Sequence, residues 1–242
     1  MRRVFREPRR ILAGSVALLI PAAALASVPQ QVVPVASELG TPTFTAPVSS
    51  SSETTGSTAS TSYDGAWGTS DAYQSMLNQS YGADAVAAAQ AAGINPDTLA
   101  AFGQIESHFQ NVGNSASSAN GVWQITNGTW DQYASKLGLS SADRSDPAAQ
   151  AKVASAIIGD YSAAVSRATG TAATGTQVYG AYMFGTKAGA EIATEKNAST
   201  PLSAFVSSST LAANHMSGWT VGQYQQTVAQ RMGSGASEAV TG

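Results

Sequence analysis

The stretch that decides the fold runs from Ala101 to Trp130 and reads AFGQIESHFQNVGNSASSANGVWQITNGTW. It continues a helix-like pattern of apolar residues at spacings of three and four, namely Leu99, Phe102, Ile105 and Phe109. The stretch contains a single acid, Glu106, at the edge of that apolar stripe. Because burial disfavours the charged form of a carboxyl group and raises its pKa, Glu106 is a candidate general acid.

Outward from this stretch, helical signals dominate and strand signals are sparse. The triplet Asn95-Pro96-Asp97 predicts the start of the helix that carries Glu106, because it combines a capping side chain, a proline at the first helical position and an acid in the first turn. A loop or irregular hairpin is expected over 110–120, where Asn, Ser and Gly are frequent. Further helices are predicted at 71–79, 83–92, 129–137, 147–166, 175–184, 202–206 and 221–232. The fold class is therefore expected to be all-α, or mostly helical α+β.

The first 26 residues have the pattern of a cleavable export signal. Five arginines within the first ten residues precede an apolar run over 11–26, which is broken by Pro21 and closes on Ala24-Leu25-Ala26. This run is shorter than the roughly 20 apolar residues that a membrane span needs, so a cleaved signal is favoured over an uncleaved anchor. The paired arginines leave both the general secretory and the twin-arginine routes open. We expect a periplasmic or secreted protein.

Composition divides the rest of the chain into three parts. Residues 27–70 are dominated by Ser, Thr, Pro, Gly and Ala and predict a flexible linker, because such a segment buries too little apolar surface to offset chain entropy. Tyr63 and Trp67 are the residues of this linker that could dock on the domain. Residues 71–233 are expected to form one catalytic domain. The final segment, 234–242, is again rich in small residues and predicts a disordered tail.

Charge and residue usage exclude several classes of function. Residues 1–26 hold five Arg and one Glu, so the net charge changes from −3 to −7 once they are removed. Lys and Arg are scattered through the remainder, which argues against a nucleic-acid groove or an anionic-lipid patch. The chain has no cysteine, and His108 and His215 stand in no zinc-ligand spacing. We therefore expect no disulfide, no metal and no cofactor.

Three short motifs follow one another along the chain. They are Ile105-Glu106-Ser107, Gly121-Val122-Trp123-Gln124-Ile125 and Ala181-Tyr182-Met183-Phe184-Gly185. Their order and spacing resemble a divergent branch of the lytic transglycosylase family, which is goose-type lysozyme-like, over about residues 71–232. The resemblance implies a lysozyme-like fold and cleavage of the β-1,4 bond between N-acetylmuramic acid and N-acetylglucosamine in peptidoglycan. Met183 departs from the commoner family pattern, which has Asn at that position.

The resemblance also implies roles for particular residues. Glu106 would protonate the leaving glycosidic oxygen and then take a proton from the muramyl C6 hydroxyl, which closes on C1 to give a 1,6-anhydro sugar. Ser107 is expected to hydrogen-bond the carboxylate or the sugar, and Gln124 is expected to bind an N-acetyl group. Tyr182 is expected to reach toward Glu106, with Tyr179 as its rival three residues earlier.

Two tryptophans and three acids leave alternatives open. Trp123 and Trp130 could stack on sugar faces, although aromatic residues at helical spacing lie more often in the core; Trp123 is the stronger candidate for substrate binding. A hydrolytic lysozyme of the same fold would need a second carboxylate, from Asp131, Asp143 or Asp146, to approach the cleft. An alternative of another class is a non-catalytic glycan-binding component of a secretion apparatus.

The expected partners follow from the same resemblance. Glycan strands of peptidoglycan would be the substrate, and a secretion or conjugation apparatus is a further candidate partner. The protein is expected to act as a monomer, with no nucleic acid and no metal bound.

Overall fold

The computed structural model of this protein describes residues 62–115 and 117–242. Helices hold 62% of these residues, and pairing between their extended segments is limited to isolated bridges. This confirms the all-α expectation. Within this part of the chain the α-helices are α1 (Asp71–Leu77), α2 (Gly82–Ala91), α3 (Pro96–Ser107), α4 (Asn127–Ala134), α5 (Pro147–Thr169), α6 (Gly175–Phe184), α7 (Thr186–Thr194), α8 (Ser208–Ala213) and α9 (Val221–Met232).

Helix α3 forms the centre of the domain and carries Glu106. It contacts α1, α2, α5, α6 and α9, and its residues from Pro96 to Gly103 are all buried. The helix starts as predicted, because the Asn95 side chain accepts a hydrogen bond from the Asp97 amide over 2.9 Å. It ends after Ser107, where the next two residues adopt left-handed backbone with φ of 53° and 63°. Glu106 therefore lies in the last turn of the central helix.

Helices α7 and α8 were not predicted from the sequence. Helix α7 packs against α5 and α6, and the backbone of its Gly189 lies directly against the backbone of Ala181 in α6. Its sequence holds good helix formers, three Ala with Lys187 and Glu191, but Gly189 in the middle lowers the helical propensity, and packing of the buried Ile192 and this close backbone approach support the helix there. Where a helix was expected over 202–206, the structure has only a short 3-10 helix at Leu202–Ala204.

Residues 62–70 belong to the folded domain, so the predicted linker boundary after residue 70 lies too late in the chain. The buried carboxylate of Asp97 accepts hydrogen bonds from the amide of Gly68 at 2.7 Å and from the hydroxyl of Ser70 at 2.8 Å. Tyr63 is buried, and the Trp67 ring packs edge-on against the α1 aromatic ring of Tyr73 at 5.7 Å. A polar segment can be ordered in this way because a buried carboxylate needs donors. Residues 27–61 lie outside the described part of the chain, as do the predicted signal residues 1–26.

The prediction of a disordered tail at 234–242 is wrong. Val240 is fully buried, its amide donates to Ala173 over 2.9 Å, and its carbonyl accepts from the amide of Asn95 over 2.8 Å. A 3-10 helix at Ser234–Ser237 precedes it. Small residues permit this close packing against the start of α3, which composition alone does not indicate.

None of the helices within residues 62–115 and 117–242 combines the length and the apolar character that a bilayer span requires.

Candidate active site

Glu106 is held in an environment that favours its protonated form. The side chain is half-buried, and its Oε1 atom is shielded from solvent without a hydrogen-bond partner in the described residues. Burial raises the pKa of Glu106 to about 8, and the nearby hydroxyl of Tyr179 partly opposes that rise. The carboxyl group therefore carries a proton at neutral pH and can donate it.

Three tyrosines from two helices surround this carboxyl group. Tyr179 and Tyr182 come from α6 and Tyr224 from α9. Burial raises the pKa of each phenol, and the charge of Glu106 adds to the rise in all three. The hydroxyls of Tyr179 and Tyr224 are buried and satisfy no hydrogen-bond geometry with other described residues. All three phenols remain neutral donors at any pH at which the protein would work.

Among the three tyrosines, Tyr179 is the one whose hydroxyl lowers the pKa of Glu106. The Tyr182 hydroxyl instead donates to the carbonyl oxygen of Trp123 over 2.6 Å. The two rings stack with centroids 6.2 Å apart, since residues three apart share one face of a helix. The Tyr182 hydroxyl is therefore used by the loop, which contradicts the expectation that it reaches Glu106. The Tyr179 hydroxyl is the one close enough to lower the pKa of Glu106, although the two groups form no hydrogen bond of normal geometry.

Ser107 ties the end of α3 to the second motif. Its hydroxyl donates to the carbonyl oxygen of Val122 over 2.7 Å. The hydroxyl hydrogen is therefore not available to the Glu106 carboxylate or to solvent. The expected hydrogen bond to the carboxylate is wrong. A serine near a helix end has a backbone carbonyl within reach, and here that carbonyl belongs to the loop.

Gln124 is a structural residue of that loop. Its backbone is left-handed with φ of 46°, and its side chain is only 7% exposed. Both Nε2 hydrogens are used, on the carbonyls of Val112 at 2.9 Å and Gly121 at 2.8 Å. Because the loop uses both donors, only the Oε1 acceptor of Gln124 could contact an N-acetyl group, and that role stays a prediction.

Both tryptophans of the deciding stretch lie in the core. Trp123 is fully buried and its indole N–H donates to the carbonyl of Leu99 over 2.9 Å. Trp130 is equally buried and donates to the carbonyl of Ser140 over 3.2 Å. Substrate stacking by Trp123 was therefore a wrong prediction, since a buried indole with its N–H satisfied has no free face for a sugar.

The acids that could have served as a second catalytic carboxylate are occupied elsewhere. Asp143 accepts hydrogen bonds from the amide and hydroxyl of Ser140 at 2.7 and 2.8 Å, and Asp146 caps α5 through the amide of Ala148. Asp131 is exposed on α4. None of them affects the pKa of Glu106. Within the described ranges, no three His, Asp or Glu side chains are grouped so that they could hold a metal ion.

Sequence reasoning missed Tyr224, and the structure shows what the departure at Met183 does. Tyr224 lies in a helix-like pattern on α9, where nothing in the sequence separates it from an ordinary core aromatic. Met183 is buried with 2% exposure, so the departure from the family's Asn changes the core beneath α6 and places no new group at the site.

The comparison with known families agrees with this geometry. Residues 85–201 match the family model described as the transglycosylase SLT domain, a lysozyme-like lytic transglycosylase family. The match contains all three motifs; it begins after α1 and ends before α8 and α9, so it leaves out Tyr224. None of the curated proteins matches this chain. From Glu106 at the end of α3, the three motifs and the matching residues, it follows that residues 85–201 form a domain of the transglycosylase SLT family.

Proposed function

We propose that this protein is an exported lytic transglycosylase that cleaves the MurNAc–GlcNAc β-1,4 bond of peptidoglycan without water and leaves 1,6-anhydro ends. Membership of the SLT family supports an activity on peptidoglycan of the lytic transglycosylase type. The observation that carries the finer proposal is the isolation of Glu106. Burial raises its pKa to about 8, and no other carboxylate in residues 62–115 and 117–242 contributes to that pKa.

The first step of the proposed reaction is proton donation by Glu106. The protonated carboxyl gives its proton to the glycosidic oxygen as the bond from that oxygen to C1 of the muramyl residue breaks, and positive charge develops at C1. A raised pKa favours this step because the acid is already in its protonated form at neutral pH.

The second step returns the proton to Glu106. The muramyl C6 hydroxyl attacks C1, its oxygen forms the new bond, and its proton passes to the Glu106 carboxylate. One carboxyl group is sufficient because the nucleophile is part of the substrate and needs no separate base to hold a water molecule. An intramolecular attack of this kind also has its orientation prepared before reaction.

Tyr179 and Tyr224 are placed to assist between these two steps. After donating its proton, Glu106 is a buried anion, which is costly unless donors are present. The Tyr179 hydroxyl favours the charged form of Glu106, since it lowers the pKa of that group. Tyr224 is a further neutral phenol near the same carboxyl. These hydroxyls would stabilise the carboxylate while the sugar ring closes.

Product analysis tests the proposed reaction. Mass analysis of muropeptides released from purified sacculi should show muramyl ends that lack one water and resist borohydride reduction. A Glu106→Gln variant should release none, and Glu191→Gln, an exposed Glu of α7 paired with Lys187, is the matched control and should release the same products as the unaltered protein. Hydrated, reducible ends would identify a lysozyme, and the absence of any product would identify a glycan-binding protein.

Export is the second part of the proposal and rests on residues 1–26 alone. A signal cleaved after Ala26 would release the protein into the periplasm or the medium, where peptidoglycan is accessible. N-terminal sequencing of the protein from the envelope fraction should begin at Ser27. An N-terminus at Met1 in that fraction would indicate an uncleaved anchor, and recovery from the cytoplasm alone would contradict export.

A further inference from the structure

The second motif forms a short loop, Gly121–Ile125, whose backbone is held by side chains from several elements. Ser107 of the first motif and Tyr182 of the third bind the carbonyls of Val122 and Trp123. These bonds connect the loop to the end of α3 and to α6, the two places from which Glu106 and its tyrosines arise. Gln124 closes the loop from within the motif, and two further side chains that hold the loop lie outside all three motifs.

Gln150 is the first of these side chains. It lies in the first turn of α5, is 1% exposed, and accepts a hydrogen bond from the amide of Val122 over 2.9 Å. Its Nε2 atom donates to the Oδ1 atom of Asn111 over 2.9 Å and to the carbonyl of Arg144 over 2.8 Å. A buried amide with all three of these bonds made has a single orientation.

Gly121 shows how closely Gln150 approaches the loop. The glycine has φ of 85°, and a Cβ atom at this position would overlap the amide group of Gln150. Only glycine combines this backbone conformation with the space that the Gln150 side chain occupies. The second motif therefore begins with glycine because of a residue that the motif does not contain.

Arg144 holds the other end of the loop. Its Nη2 atom donates to the carbonyls of Ser118 and Ile125, each over 2.6 Å, and its Nη1 atom donates to the side chain of Asn127. Burial lowers the pKa of Arg144, and the charge of Asp131 partly opposes that change, although no carboxylate in the described residues forms an ion pair with it. A partly buried guanidinium whose hydrogen bonds all go to neutral oxygens is costly, so its contribution is to fix the loop rather than to stabilise the fold.

We propose that Gln150 and Arg144 are positioning residues of the active site, which hold the Gly121–Ile125 loop against the last turn of α3 and thereby keep the Glu106 carboxyl group buried. Only the expected effect of these two residues on turnover rests on the proposed function. Their structural role concerns the environment of Glu106 and can be measured without any substrate.

Loss of either residue has a defined consequence. Without Gln150, no side chain would bind the Val122 amide, and without Arg144, none would bind the Ile125 carbonyl. Ser107 and Tyr182 would still bind the loop, but it would move more freely at the released position. Water would reach Glu106 more often, and the pKa of Glu106 would fall from about 8 toward its ordinary value of 4.5. Tyr179, Tyr182 and Tyr224 are the other titratable groups facing this carboxyl. They would stay neutral.

The test is a carboxyl carbon NMR titration of the full chain labelled in glutamate, with the Glu106 resonance assigned from its loss in Glu106→Gln. The chain has seven glutamates, so the spectrum is simple. Gln150→Leu keeps the size of the side chain and removes its hydrogen bonds, and we expect the pKa of Glu106 to fall by about one unit or more. Arg144→Met, at a half-buried site with less risk to folding, should shift it in the same direction. Arg144→Lys should restore part of the difference.

Two controls on α5 separate positioning from general destabilisation. Val153→Ala removes buried apolar contacts, and Ser155→Ala alters a buried hydroxyl that touches no loop residue by a hydrogen bond. Both should leave the pKa of Glu106 unchanged, even if Val153→Ala unfolds at lower denaturant. An unchanged pKa in folded Gln150→Leu and Arg144→Met would overturn the proposal, as would an equal shift in Val153→Ala.

Turnover gives an independent readout. If the proposed function holds, Gln150→Leu should slow product release from sacculi on the order of tenfold to a hundredfold, because misplacement near the reacting groups is costly. If the unaltered protein releases no product, the proposed function fails while the NMR shift still decides the inference about the loop.

Discussion

The hydroxyl of Tyr182 donates to the carbonyl of Trp123 over 2.6 Å, so the third motif supports the backbone of the second. Ser107 does the same for Val122 over 2.7 Å. Ser107 and Tyr182, two motif residues that were expected at the substrate, therefore form hydrogen bonds that connect structural elements. In the proposed reaction the chemistry falls to Glu106, with the Tyr179 and Tyr224 hydroxyls nearby.

Replacing the acid should abolish cleavage. Glu106→Gln keeps the shape of the side chain but cannot donate an acid proton, so release of muropeptides should fall on the order of a hundredfold to ten-thousandfold. Glycan binding should be retained, as measured by co-sedimentation with sacculi. Turnover above a few per cent of the unaltered rate would contradict the assignment of Glu106.

The same substitution should stabilise the fold at neutral and alkaline pH. The folded pKa of about 8 lies above the ordinary value of 4.5, so the folded state binds a proton that the unfolded state releases between these values. Stability of the unaltered protein should therefore decline from pH 4.5 to 8 and then level off. Above pH 8, Glu106→Gln should be more stable by about 2–4 kcal/mol. Urea titrations at pH 4, 6 and 8.5 measure the gap, and a gap that does not grow with pH would refute it.

Activity should have an alkaline limit near pH 8. Below that pH, Glu106 is protonated and can act as the acid; above it, the protonated fraction falls about tenfold per pH unit. The measurement is the initial rate of sacculus solubilisation from pH 5 to 10. A rate that falls already between pH 4 and 6 would mean that Glu106 has an ordinary pKa.

Tyr179→Phe should move that limit to higher pH. The Tyr179 hydroxyl lowers the pKa of Glu106, so its removal raises this pKa further. Turnover should also slow by roughly tenfold, because the carboxylate formed in the first step loses a donor. Tyr133→Phe is the matched control, since its hydroxyl donates to Asp160 over 3.0 Å and does not affect Glu106. A limit that moves down, or moves equally in the control, would contradict the role of Tyr179.

The stable domain should begin near Ser62 rather than near Asp71. A fragment of residues 71–242 lacks the amides and hydroxyl that bind the buried carboxylate of Asp97, and should lose at least about 3 kcal/mol relative to residues 62–242. Ending the chain at Gly233 should weaken it further, because Val240 is buried. Denaturant unfolding of the fragments measures both effects. Equal stability of 71–233 and 62–242 would show that these segments contribute nothing.

The features that local chemistry controls were predictable from the sequence. Asn95, Pro96 and the apolar spacing after them predicted α3 and placed Glu106 on it. A carboxyl at the edge of an apolar stripe is a signal within one helix, and it needs no knowledge of the neighbours. The family was predictable for the same reason, since its motifs are short and local.

The features that failed depend on contacts distant in sequence. Whether Trp123 faces a sugar or the core depends on α3, and whether Gln124 is free depends on the carbonyl of Val112. The order of residues 234–242 depends on Asn95 and Ala173. Composition could not reveal these, because small polar residues are equally suited to a free tail and to close packing.

The start of α3 is the place where both ends of the domain meet. The carbonyl of Val240 binds the amide of Asn95, Thr241 pairs with Ile94, and Gly242 lies against Asp64. Glu106 lies ten residues beyond Pro96, the first residue of this helix, roughly 15 Å away at 1.5 Å per residue. A short peptide could therefore join the two ends, and the chain could be reopened in a surface loop, so that the domain would tolerate circular permutation with its acid undisturbed.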